Sequence, residues 1–268
     1  MLRSLKDIER YKVSASDGDI GDVENFLLDD KHWVVRYLIV DTGGFFDGRR
    51  VLISPISFRD VDWLTKRFHL ALTKDKVQNS PSVNVDKPVT RQHELDYYGH
   101  YRYPQYWGSS WYWGSGNTPS KLANGKWTKS AEDPSDDAAD VHLRSVNEVR
   151  GYYVQGSDGP IGHVEDFIVD DETWAIRYLV VNTNNWLFGR KVLVAPHWAY
   201  RVDWAERNVH VAMSRQSIKD SPELNKIETM SRDFEARLYD HYERRPYWDD
   251  STRQPLSPPP HHSGSHLG

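Results

Sequence analysis

Hydrophobic and polar positions along this chain alternate with the period of two that marks β-strands, in short runs broken by turn residues. The clearest run is Trp33 to Val40. Trp33, Val35, Tyr37 and Ile39 fall on one face and Val34, Leu38 and Val40 on the other, with only Arg36 interrupting. That pattern predicts a strand covered on both sides. The preceding run carries its apolar residues at Val23, Phe26 and Leu28, so the alternation slips once near Glu24-Asn25, as a β-bulge requires. Asp17-Gly18 ahead of it and Asp29-Asp30 behind it read as turns, the first needing a positive φ at its glycine. Gly48 to Ile53, stopped by Pro55, gives a fourth strand, and Val61-Asp62-Trp63 and Phe68 to Leu72 give two short ones. Thr73 to Val77 predicts one helical turn, and Thr90 to about Tyr101 a longer helix, each opened by a threonine N-cap.

The whole pattern is written twice. Residues from Leu143 onward match residues from Leu2 onward at a constant offset of about 141, with about 40 of roughly 106 paired positions identical and no gap. Asp158-Gly159, Asp170-Asp171, the run Trp174 to Val181 and the caps Ser214 and Ser231 take the matching places. Residues 1–82 and 141–223 are therefore predicted as two small antiparallel β-barrels in tandem, a mostly β fold. A helical and aromatic segment follows each, at 83–113 and 224–250. A Gly/Ser/Asn-rich linker at 114–140 and a disordered proline-rich tail at 251–268 complete the chain.

The blocks SDGDIGDVENFLLDD, WVVRYLIVDT and GRRVLISP, with VDW and a following Ser-Pro, resemble the PRC-barrel domain, and both repeats carry every block in order. The resemblance implies a small β-barrel that docks to other proteins, as in the cytoplasmic domain of the photosynthetic reaction-centre H subunit. It is similar also to the C-terminal domain of a ribosome maturation factor. One implied context is assembly of a photosynthetic or membrane-associated complex; the alternative is an RNA- or ribosome-associated assembly factor. The chain departs from the first relative in having no membrane-spanning run, and from the second in lacking its N-terminal partner domain.

Composition narrows the chemistry. The 268 residues include no cysteine, which removes thiolate metal centres, disulfides and thiol nucleophiles. A net charge of −5 gives no basic groove for a phosphate backbone, so a nucleic-acid partner is not expected. No apolar run approaches the roughly 20 residues of a membrane helix, and the first residues lack the apolar core of a signal peptide, so the expected location is cytoplasmic. Ser54, Ser80 and Ser221 lack a nucleophile elbow, Gly43-Gly44 begins no phosphate loop, and the Asp doublets are too short for a calcium loop. His69 and His210 stand alone in short strands. The expectation is a protein that is not an enzyme and needs no cofactor or metal, with another protein as its partner.

Two sets of residues stand out. Arg36 and Arg177, charges within the most apolar strands, call for acidic partners; Glu24 or Asp62, and Glu165 or Asp203, are the candidates. Intramolecular pairing of the two barrels through these strands makes Trp33, Arg36, Leu38, Val40, Trp174, Arg177, Leu179 and Val181 the candidate interface. Aromatic residues make up 13% of the chain. Many lie in Tyr97–Trp113 and Tyr239–Trp248, where packing against a barrel is the favoured reading. Within them Tyr106, Trp107, Trp111, Trp113, Tyr247 and Trp248 form a candidate docking segment.

Overall fold

The computed structural model of the protein describes residues 1–44, 48–82, 88–125, 142–183, 190–222 and 230–249. The tail expected to be disordered lies outside the described residues, as does the linker from residue 126 on. In chain order the first repeat forms β1 (Leu2–Ser4), α1 (Leu5–Ile8), β2 (Lys12–Ala15), β3 (Gly18–Asp29), β4 (Val34–Asp41), β5 (Arg50–Ile53), β6 (Phe58–Asp62), β7 (Arg67–Leu70), α2 (Lys74–Gln78) and α3 (Arg91–Tyr101). A short α4 (Pro119–Ala123) follows. The second repeat forms β8 (Leu143–Ser145), α5 (Val146–Val149), β9 (Tyr153–Gly156), β10 (Gly159–Asp170), β11 (Ile176–Asn182), β12 (Lys191–Val194), β13 (Ala199–Asp203), β14 (Asn208–Val211), α6 (Arg215–Asp220) and α7 (Arg232–His241).

These elements divide into two compact units whose limits are not those of the repeats. The first unit holds Asp7–Asn147 and Glu172–Ala175; the second holds Met1–Lys6, Glu148–Asp171 and Ile176–Gly268. In the first, the sheet runs β5-β4-β3-β2-β7-β6 and β8 pairs with β3; in the second it runs β12-β11-β10-β9-β14-β13 and β1 pairs with β10. Each sheet thus includes a three-residue leader strand that belongs, by sequence, to the other repeat.

Two features differ from the sequence expectation. The sheets are mixed, because β2 runs parallel to β7 and β9 parallel to β14. Alternation reports which face a residue takes but not the direction of its neighbour, so the pattern could not encode this. The sheets are also open paths, ending at β5 and β6 or at β12 and β13, where closed barrels were expected. In the first unit the corner after β5 is made by the 3-10 turn Pro55–Ser57. There the Ser54 backbone N–H donates to Tyr97 Oη of α3 at 2.9 Å, so a helix side chain, and not a neighbouring strand, satisfies the donor just past the end of β5.

Other expectations hold. The register of β3 on β4 shifts between Val23 and Asn25, and that of β10 on β11 between Val164 and Asp166, where the slipped alternation placed a bulge. A second shift, Leu27/Leu28 and Ile168/Val169, has no counterpart in the pattern. Gly18 and Gly159 sit at φ 135° and 143°. Thr73, Thr90, Ser214 and Ser231 all cap their helices by accepting a backbone N–H. β4 is buried along its length except at Asp41. Trp33 and Trp174, assigned to strands from sequence, instead precede them with φ 54° and 58°, because the Trp33 N–H turns back to the Asp29 carbonyl at 2.8 Å.

The second unit carries a histidine where the first repeat has an aliphatic core residue. The 3-10 turn Pro196–Trp198 of the second unit carries His197 where the first repeat has a buried Ile56. His197 stacks on Tyr239, with ring centres 6.1 Å apart and planes 16° apart. Burial, helped by Arg177 and Arg244, pushes its pKa down to about 4. The unfolded chain takes up this proton first as pH falls, so the contribution of His197 to stability is lost between about pH 6.5 and 4 and changes no further below. His197→Ile is expected to make the unfolding free energy from urea titration less acid-sensitive, by about 2 kcal/mol between pH 7 and 4.5. An identical acid loss in both proteins would exclude His197 as the group.

Candidate functional site

Each Asp doublet binds two arginines of different origin. In the first unit Asp29 Oδ2 accepts from Arg36 Nη2 at 2.7 Å and Nε at 3.2 Å, while Asp30 Oδ2 accepts from Arg144 Nε at 3.0 Å. In the second unit Asp170 Oδ2 accepts from Arg177 Nη2 at 2.8 Å, and Asp171 Oδ2 from Arg3 Nε at 2.7 Å. The first carboxylate of each doublet therefore grips the middle strand of its own repeat. The second grips the leader strand from the other repeat. Asp29 Oδ1 also accepts the backbone N–H groups of Lys31 and His32, so the turn role expected of the doublet is present alongside its ion pairs.

The bulge aims a further side chain at the leader. Immediately after it, Asn25 Nδ2 donates to Ser145 Oγ at 2.9 Å; the matching Asp166 Oδ2 accepts from Ser4 Oγ at 2.5 Å. Two residues further on, the Asn147 and Lys6 N–H groups donate to the Asn25 and Asp166 oxygens at 3.3 and 3.1 Å. Burial raises the Asp166 pKa, against the pull of these hydrogen bonds. Burial would raise Asp29 too, but Arg36 and His32 outweigh it and hold its carboxyl well below the usual carboxylate range.

Aromatic residues close over the first pair. The Arg36 guanidinium lies 3.7 Å from the Tyr106 ring centre and 4.9 Å from that of Trp113, and its Nη1 donates to the Tyr112 carbonyl at 2.5 Å. Trp113 is fully buried and donates Nε1–H to the Thr173 carbonyl at 2.7 Å. Beneath them the buried Glu94 of α3 accepts from Tyr37 Oη at 2.9 Å, Tyr106 Oη at 2.8 Å and Arg91 Nη1 at 2.6 Å, with His142 Nε2 at 2.8 Å. Desolvation opposes the charged form of His142, but Glu94 prevails and raises its pKa. The second unit repeats the plan more openly. Glu235 accepts from Tyr178 at 2.8 Å and Tyr247 at 3.1 Å, and Arg177 lies 4.1 Å from the Tyr247 ring centre. The Arg177 and Asp170 side chains are 10% and 17% exposed, against 0% and 3% for Arg36 and Asp29.

Several predicted site residues take other roles. Arg36 and Arg177 do find acidic partners, but not the expected ones. Glu24 is taken by Arg50 and Glu165 by Lys191, while Asp62 holds its own turn and Asp203 pairs with Arg201. Asp29 and Asp170 lie across the hairpin, seven residues back, where the turn delivers them. Trp33, Leu38, Val40, Trp174, Leu179 and Val181 are buried, and Trp174 packs on Phe58 and Phe68 of the first unit. Within the aromatic segment Tyr106 and Trp113 are core residues, whereas Trp107, Trp111, Tyr247 and Trp248 are half-buried. Arg91 packs on Trp107 and Arg232 on Trp248. The leaders, the second aspartates and Glu94 with Glu235 went unassigned as site residues. Their signal was identity between repeats: Leu-Arg-Ser, Asp-Asp and the helix glutamate each occur in both.

Fold and site together define a tandem β module that holds an extended segment by strand pairing and an arginine–carboxylate contact. The PRC-barrel domain model matches residues 2–77 and 142–212, more than half of the chain, and the protein belongs to the PRC-barrel domain family. No curated protein matches the chain. Among the described residues no helix is long and apolar enough to cross a membrane.

Proposed function

We propose that the protein is a non-enzymatic docking module that joins other proteins into an assembly. The observation that carries this reading is the leader contact. Each unit holds a segment of the other repeat by main-chain pairing, an arginine–aspartate contact and a serine hydrogen bond, which is the chemistry of peptide recognition. Its polar groups are engaged with one another, which suits binding better than turnover. By resemblance the assembly is a photosynthetic or membrane-associated complex, approached from the cytoplasmic side. The test is isolation of the tagged chain from its native cells after cross-linking, with and without ribonuclease. A stoichiometric protein partner that survives ribonuclease is expected. Recovery of ribosomal particles alone, lost on ribonuclease treatment, would overturn the reading in favour of an RNA-associated factor.

A further inference from the structure

The two leaders are chemically interchangeable. Leu2-Arg3-Ser4 and Leu143-Arg144-Ser145 are the same tripeptide. They pair antiparallel in the same register, Leu2↔Asp170 to Ser4↔Ile168 and Leu143↔Asp29 to Ser145↔Leu27. Their arginines meet the second aspartate of each doublet at 2.7 and 3.0 Å, and their serines meet the side chains at 166 and 25. Leu5 and Val146, which follow, are fully buried. The acceptor is also a place where the sheet needs a partner. β2 covers β3 only as far as Asp22, so Leu27 to Asp29 would present an open edge without the leader.

Nothing in this chemistry distinguishes a leader of the same chain from that of another. We infer that the C-terminal ends of β3 and β10 are strand-acceptor sites for an extended Leu-Arg-Ser segment, and that a second copy of this chain supplies that segment in trans. The inference rests on the docking reading and gives it a partner class. A tethered leader acts at an effective concentration on the order of millimolar, so exchange between copies appears once the tethered leader is weakened or the chain is locally concentrated.

The test uses the full chain with one leader disabled, Leu2→Asp with Arg3→Glu. The probe is a synthetic peptide of residues 1–8, labelled at its C-terminus and followed by fluorescence anisotropy. The disabled chain is expected to bind it saturably and at least ten-fold more tightly than the unaltered chain, whose own leader competes. Adding Asp171→Asn, or reversing the peptide's arginine to glutamate, is expected to lower affinity at least ten-fold. Mixing the disabled chain with one carrying Asp171→Lys is expected to yield a 1:1 dimer by sedimentation. The second leader, disabled by Leu143→Asp with Arg144→Glu and probed with residues 142–149, repeats the test independently. Should either variant unfold, excess peptide is expected to restore its circular dichroism. No binding at about 1 mM peptide, no restoration, or binding indifferent to the arginine overturns strand exchange. A partner still captured from cells in that event leaves the docking reading standing, and peptide binding without any captured partner fells the docking reading alone.

Discussion

Asp29→Ala is expected to destabilise the first unit by about 3–5 kcal/mol, because it leaves the Arg36 guanidinium charged, fully buried and without its carboxylate. Rings and the Tyr112 carbonyl remain around Arg36, but neither neutralises a charge removed from water. Arg36→Met with Asp29→Asn removes both charges and keeps the amide oxygen that accepts the Lys31 and His32 N–H groups, so most of the loss is expected to return. Asp170→Ala is expected to cost less, about 1–2 kcal/mol, since water reaches Arg177 and Asp170. Urea unfolding followed by tryptophan fluorescence and amide exchange separates the two units. Equal losses from Asp29→Ala and Asp170→Ala would show that burial does not set the scale. The pH dependence has a definite sign. With its pKa held low, Asp29 contributes stability that is present above about pH 4 and is lost as pH falls through the lowered value.

Much of this fold is legible in the sequence because its cause is local. A slipped alternation at Glu24-Asn25 is the bulge itself, Asp-Gly is the turn, and a threonine or serine before a helix is its cap, so each residue type carries the geometry it adopts. The two-faced burial of β4 is equally direct. What escaped are relations between distant segments. Three residues, Leu2–Ser4, are too short a run to give a periodic signal, and nothing in Leu-Arg-Ser says that it pairs with Asp170 rather than Asp29. The parallel pairing of β2 with β7 depends on how the β6–β7 hairpin folds back, which no single strand encodes. From sequence Arg36 calls for an acid and Asp29 reads as a turn residue. Joining them required knowing that the turn carries its carboxylate inward.

Trp113 shows the limit from the other side. Without a counterpart in the second repeat, it reads from sequence as part of the candidate docking segment. Its indole instead lies beside Arg36 and donates to the Thr173 carbonyl, so the unmatched residue belongs to the first unit's core. Repetition identifies what both units need, and it is silent on what one of them has added.

A chain cut once between residues 126 and 141 is expected to stay in one piece under native conditions. The reason is the leader exchange. The N-terminal fragment supplies Met1–Lys6 to the second unit, and the C-terminal fragment supplies His142–Asn147 and Glu172–Ala175 to the first. Each fragment would have to strip a strand, an arginine–aspartate contact and buried residues such as Leu5 or Val146 from a folded unit in order to leave. With a specific protease site placed in that stretch, the two fragments are expected to co-elute at about 1 µM, an association free energy of at least roughly 8 kcal/mol. They are expected to part only at the urea concentration that unfolds a unit. Arg3→Glu together with Arg144→Glu is expected to let them separate after cleavage while leaving the uncut chain monomeric at that concentration, because the tether holds each weakened leader at high effective concentration. Fragments of the unaltered chain that elute apart in native buffer would mean that the leaders do not hold the halves, and the acceptor sites would lose their main support.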